Sequence, residues 1–439
     1  MNSQYFDTAR YAIDCAKDSG ADEVAVNIIS QRKVDMEYRN QQIETLMDAT
    51  QHELSIDIYR DRKYSSHSTN DLRRSSLKIF VEQAVTATGY LEVDAFRALP
   101  PEHLYPDNLE KPLDIRDVTY EKRTIDQRIE LIKAIEASAR EQDKNIISVT
   151  AGCGDRFTES LKVHSNGFIG ERKATTFIAG AEVTMQDRGG ERPADYSIGI
   201  TRHQKELPSA DSLATEAVRR ASQKLGQRKI KSGVYPMVVE NRAGQRLVSM
   251  LYSAMTARSL QQKHSFLEGK LDRAIASELL TLIDDPFVPG GLSSRVYDGE
   301  GLATQKRVVI EKGVLSSYFV DTYYGRKLGM EPTNADPSNG IFEPGEYCLD
   351  QFIEKLDRGI VVTGFIGGNS NSTTGDFSFG ISGLLVEQGR VIQPVYEMNI
   401  SGNALELWRN LSQVGNDPYL YSSLRVPTLL FENVHFSGD

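Results

Sequence analysis

LKVHSNGFIGERKATTFIAGAEVTM, residues 161–185, sets Asn166-Gly167 between two apolar runs. Both residues tolerate positive φ, so the pair predicts a tight hairpin joining strands at 161–164 and 174–185. Further strands are predicted at 145–151 and 196–201. A helical face precedes them, carried by Ile125, Ile129, Ile132, Ile135 and Ala139. A second helix, about 209–225, turns Leu213, Ala217, Val218, Ala221 and Leu225 inward, with Gly226 past its end. Residues 116–230 are therefore read as a central α+β domain.

On the N-terminal side, Phe6, Ala9, Ile13 and Ala16 recur at helical spacing, and Gly20 suits a helix end. Val24, Val26 and Ile28 alternate with polar residues, as do Val34, Met36, Tyr38 and Leu54, Ile56, Ile58. Period two marks half-buried strands of a sheet with one wet face. With a helix over 71–88, residues 1–92 form an N-terminal helix-plus-antiparallel-sheet domain. Four of the fifteen prolines (Pro100, Pro101, Pro106, Pro112) mark 93–115 as a linker. QRKIKSGVYP (227–236) reads as a second joint, and 231–439 as a β-rich C-terminal domain. There Met237-Val238-Val239 feeds a helix with Ala243, Leu247, Leu251 and Ala254 on one side. Strands are expected at 307–310, 359–366, 383–386 and 428–431, and a long surface loop over 330–346. Helices and strands mix without βαβ alternation, so the class is multi-domain α+β.

The chain has 439 residues and a formal charge of −10. Such a chain repels phosphate backbones, and with no basic run no direct nucleic-acid contact is expected. No window is apolar enough to span a membrane and the start is no signal peptide. Cys15, Cys153 and Cys348 are distant and odd in number, which argues for the cytosol.

Motifs for chemistry are sparse. No two of the seven histidines lie within ten residues of each other, and His52-Glu53 has Ile56 and Asp57 where a second ligand is wanted. Gly375-Asp376-Phe377-Ser378-Phe379-Gly380 puts Asp376 where a nucleophile elbow needs its first glycine, and reads as a tight turn. Gly299-Glu300-Gly301 lacks a third glycine, and Cys153 has no nearby His or Lys to activate it.

Three ordered stretches are more specific: residues 297–329, opening YDGEG; 373–417, opening TTGDFSFGISG; and 426–438, VPTLLFENVHFSG. Together they resemble the TldD/PmbA family, also labelled modulators of DNA gyrase, over nearly the whole chain. The resemblance implies two branches. One is similar to a zinc protease, with His-Glu, three residues and His on a helix plus a late Cys ligand. Aligned by the shared Gly244, those positions here are Glu240, Asn241 and Gln245, and residues 414–430 contain no cysteine. An amide is no general base, and Gln is a poor zinc ligand beside imidazole. The match is then to the PmbA (TldE) branch, which implies no metal here and zinc in a TldD-like partner.

The expected function is a non-catalytic subunit of a heterodimer that helps enclose an unfolded or leader peptide. The isolated chain could still form homodimers. An extended peptide can add to a sheet edge, and the glycine-rich run 364–383 suits close backbone approach, with Gly375, Asp376, Phe377, Ser378, Gly380 and Gly383 as candidates; turns alone would explain the glycines equally well. Two alternatives stay open. One is an autonomous metallopeptidase with unusual ligands, such as Glu240 with His264. The other is a non-proteolytic modulator of DNA gyrase or of a toxin–antitoxin system.

Overall fold

The computed structural model describes residues 3–438. Its first half is built on one six-stranded antiparallel sheet. The elements in order are α1 (Ser3–Asp18), β1 (Glu23–Arg39), β2 (Gln42–Arg60), β3 (Lys63–Thr69), α2 (Arg74–Thr88), α3 (Ile125–Arg140), β4 (Ile146–His164), β5 (Ile169–Met185), β6 (Ala194–Thr201) and α4 (Ala210–Ser222). The strand order is β3-β2-β1-β4-β5-β6, so β1 pairs with β4 and the units 1–92 and 116–230 share a single sheet.

The two apolar triplets of β1 lie on one continuous 17-residue strand. Val24, Val26 and Ile28 pack under α1 and α2, while Val34, Met36 and Tyr38 pack under α3 and α4. All six have the same parity, so both helix pairs cover one face of the sheet, at opposite ends of its long strands. In the seam between them Asp155 of β4 is wholly buried against Arg123 and Arg128. Two features of this half have local causes. Thr124 and Gln127 form a capping box at the start of α3, and Gly167 takes φ +107° in the 165–167 turn.

The second half runs β7 (Gly233–Val239), α5 (Asn241–Ala254), α6 (Ala257–Gln261), β8 (Leu282–Asp285), β9 (Arg307–Glu311), β10 (Val314–Leu315), α7 (Thr322–Leu328), β11 (Asn339–Phe342), α8 (Leu349–Lys355), β12 (Arg358–Ser370), β13 (Asp376–Glu387), β14 (Arg390–Asn403), α9 (Ala404–Arg409), β15 (Leu411–Val414), β16 (Leu424–Arg425) and β17 (Leu429–Ser437). A sheet ordered β14-β13-β12-β7-β17-β15 closes through a β14–β17 pairing, giving a five-stranded barrel with β15 on its rim. Alternate residues split its strands between two cores. Met237, Val239, Ile360 and Val362 face the large cluster with α5, whereas Val238, Val361 and Leu430 pack on Phe352 of α8.

The stretch 330–346 is not a surface loop. Asn339–Phe342 forms β11, paired with β8 and β16, and Asn334, Ser338 and Asn339 are buried. Asn339 is buried there because it is bonded: its amide donates to the Asp285 carbonyl at 2.8 Å and accepts from the Ser293 N–H at 3.0 Å. The proline-rich stretch 93–115 is docked, with Arg326 of α7 donating to the carbonyls of Phe96, Ala98 and Leu99. Among the described residues no helix is long and apolar enough to cross a membrane.

The two halves meet at the YDGEG turn. Phe168 packs edge-on against Tyr297, and Glu300 accepts from the Thr322 N–H (2.8 Å) and hydroxyl (2.6 Å). Burial pushes the Glu300 carboxyl up to about 7 despite those bonds, with Asp298 and Asp321 adding to the shift. An ordinary glutamate titrates near about 4.3. Across that window the folded chain keeps a proton that the unfolded chain has released. Stability therefore falls as pH rises through it. Glu300→Gln should shrink the drop in denaturation midpoint between pH 5 and pH 8; an undiminished drop would clear Glu300 of responsibility.

Candidate functional site

β7 runs into α5 at Glu240. The Glu240 N–H donates to the Val362 carbonyl at 3.0 Å, tying the turn to β12. Its side chain does not cap α5. It turns back to Arg220 on α4, Oε1 to Nη1 at 2.6 Å and Oε2 to Nη2 at 2.9 Å. Both side chains are buried, and Arg220 also donates to the Thr363 carbonyl. Burial alone would lower the Arg220 pKa; Glu240 foremost, then Asp195 and Glu216, reverse that and hold the guanidinium charged.

The neighbouring positions diverge. Asn241 donates through Nδ2 to the Asp417 carbonyl at 2.7 Å. Gln245 is exposed, its Oε1 accepting from the Ser422 hydroxyl at 3.3 Å. Gly244 lies on Val426, where a Cβ would sit 2.7 Å from Cγ1, so no larger residue fits this crossing unchanged. His264 is exposed beyond α6. Zinc needs converging imidazole, thiolate or carboxylate donors. Here the one carboxylate is held on both oxygens by a guanidinium, and the other two positions are amides aimed at different partners. These residues do not fit zinc. Among the described residues no group of three His, Cys, Asp or Glu side chains is gathered for a metal.

Above this turn lies a cavity of about 520 Å³ between α4, α5 and β12. Its charge is mostly positive: Arg220 from the last turn of α4 and Lys224 just past it, Arg242 and Arg246 from α5, against Asp195 of β6. Asp195 lies 3.1 Å from Lys224, 3.5 Å from Arg220 and 3.7 Å from Arg242. Burial would raise its carboxyl, but Arg220 and Lys224 hold it below the usual range. Arg242 covers the Tyr196 ring at 3.7 Å and Arg246 covers Phe379 at 4.7 Å. Sequence reasoning missed these cations. Arg242, within residues 240–245, and Arg246, just after them and one helical turn on, were the available signal.

β12 forms the cavity's other wall. β7 pairs with it only over Ile360–Val362, so from Thr363 onward its β7-side edge is open. β13, by contrast, is bonded on both sides, to β12 and to β14. Gly380 and Gly383 lie where a Cβ would come within 2.4 Å of the Ile366 carbonyl and 2.2 Å of the Val361 carbonyl. The close approach at these glycines is thus to β12 of the same chain. Gly375 takes φ +85° in the turn before β13, and Asp376 is exposed, accepting from Thr374 and Asn403. Phe377 is buried on Phe379, and Ser378 is exposed.

Family models described as the PmbA/TldA metallopeptidase central domain and C-terminal domain match residues 119–225 and 232–438. A solved chain from Bacteroides thetaiotaomicron, described as a proposed modulator of DNA gyrase, is 39% identical with a TM-score of 0.96, covering 99% of this chain and 98% of its own. The chain belongs to the PmbA/TldD family. Within it, metalloprotease PmbA of Escherichia coli O157:H7 is 27% identical over 433 residues, 96% of this chain and 93% of the relative. TldE of Thermococcus kodakarensis, at 24% identity and a TM-score of 0.88 over 98% of this chain and 100% of its own, shares the fold. The turn at Glu240 thus lies in the stretch matched by the metallopeptidase C-terminal domain model.

Proposed function

We propose that this chain is a metal-free subunit that helps enclose an extended peptide while a zinc-bearing, TldD-like partner cuts it. The observation that carries the reading is the Glu240–Arg220 pair. A guanidinium at 2.6 and 2.9 Å from both oxygens of the one carboxylate opposes a second cation there. Nearly full-length similarity to PmbA supports a PmbA-type role. The peptide would run along the open edge of β12 beyond Thr363, on the side away from β13 and residues 375–383, adding a strand to the sheet.

The test is to purify the chain from its own cells, measure zinc, and assay peptide hydrolysis with and without the TldD-like paralogue. The expected result is no stoichiometric zinc, no hydrolysis alone, and hydrolysis when the paralogue is present. One zinc per chain with chelator-sensitive hydrolysis by the chain alone would overturn it. The name metalloprotease carried by the PmbA relative favours that second reading, proteolysis by this chain itself. The gyrase description of the Bacteroides chain favours a third reading, modulation of DNA gyrase without proteolysis, which direct binding of the purified chain to gyrase would support.

A further inference from the structure

We infer that the cavity beside α5 receives a carboxylate of the bound peptide, so that the chain selects peptides by negative charge at one position. The inference rests on the peptide-holding reading above and adds its chemistry. Four basic side chains line the cavity against one aspartate, in a chain whose overall charge is −10. Glu240 and Glu216 account for much of Arg220, and Asp195 is shared among Arg220, Lys224 and Arg242. Arg246 has no such partner: among the described residues it meets only the Gly368 carbonyl, at 3.3 Å, and the Phe379 ring. Arg242 gives its guanidinium to the Tyr196 carbonyl and ring and has only a share of Asp195, at 3.7 Å. Local positive charge is thus left over, and an arginine fork fits a carboxylate in two-pronged fashion.

Position argues for a peptide rather than another anion. The open stretch of β12 lines the same cavity through Gly364, Phe365, Ile366 and Gly367. A strand added at that edge would bring its side chains or its C-terminus to Arg246. A nucleic-acid backbone is disfavoured by the acidic remainder of the chain. The carboxylate can come from the peptide's C-terminus or from an Asp or Glu side chain.

The experiment uses the full chain, alone and with the TldD-like paralogue added, and fluorescein-labelled nine-residue Ala/Ser peptides read by anisotropy. One peptide has a free C-terminal carboxylate, one is amidated, and one is amidated with a single central Glu. The amidated neutral peptide should bind about tenfold more weakly than at least one charged peptide, and the charged peptide that binds names the source. Arg246→Gln should remove the difference, Arg246→Lys should restore part of it, and added salt should narrow it. Arg246 is exposed, so its variants leave the fold intact. Equal binding of all three peptides would overturn the carboxylate site while leaving peptide holding intact. A charge preference that survives Arg246→Gln would also overturn it. Binding of none, with or without the paralogue, would end both readings. Tighter binding of a labelled single-stranded DNA than of any peptide would replace the peptide with nucleic acid.

Discussion

Glu240→Ala should destabilise the folded chain by about 3 kcal/mol and leave its metal content unchanged. The carboxylate holds Arg220 through two charge-assisted hydrogen bonds in a site where neither side chain is more than 8% exposed. Removing one partner of a buried pair leaves the other charge desolvated, which typically costs roughly 3–5 kcal/mol. The lower end applies because Glu216 at 3.4 Å and Asp195 at 3.5 Å still face the guanidinium. The loss should resist added salt, since a buried pair is poorly screened. Trp408, the single tryptophan and fully buried in the C-terminal core, reports the transition by fluorescence in a urea titration. Glu240→Gln keeps the shape but not the charge and should fall between the two. A Glu240→Ala chain of native stability that had lost a bound metal would mean the residue is a ligand after all.

That residue shows how far the sequence could be read. At 240, 241 and 245 the chain alone shows an acid and two amides, residue types that make no imidazole zinc site. What the Glu240 carboxylate binds was not legible. Arg220 lies twenty residues earlier on α4, which packs on the first sheet, and only the meeting of the two halves brings it to Glu240. The same split runs through the fold. Asn166-Gly167 and the apolar faces of the helices are local codes, and the structure follows them; the capping box at the start of α3 was an equally local code that went unread. The two apolar triplets of β1 looked like separate strands because Ser30-Gln31-Arg32-Lys33 interrupt them; that interruption is the seam between two helix pairs. The stretch 330–346 looked like a loop because prolines and asparagines favour turns. Its strand exists because β8 and β16 supply partners far away in the chain. Barrel closure through β14 and β17 joins residues nearly forty apart by two pairs, and no local period marks it.

The seam predicts the larger stability effect. Asp155 accepts from Arg128 Nε at 2.7 Å, Arg128 Nη2 at 2.9 Å and Arg123 Nη1 at 2.9 Å, with all three side chains at most 1% exposed. One carboxylate therefore balances two buried guanidinium groups. Arg123 is already strained electrostatically: its Nε and Nη2 find no partner, and burial lowers its pKa even with Asp155 beside it. Asp155→Asn would leave two positive charges facing a neutral amide. The expected loss is at or above the top of the roughly 3–5 kcal/mol range for breaking a buried pair. β4 carries Asp155 between the two apolar clusters, so the damage should fall on the first sheet and its four helices. Far-UV circular dichroism should then show a transition at lower urea than Trp408 fluorescence, which reports the barrel half. Replacing the whole cluster, as Asp155→Leu with Arg123→Met and Arg128→Met, should recover much of the loss, because Tyr120, Phe157 and Phe177 already make the surroundings apolar. If Asp155→Asn melted with both signals together at the original midpoint, the seam would be held by its flanking apolar clusters and the ion cluster would contribute nothing to it.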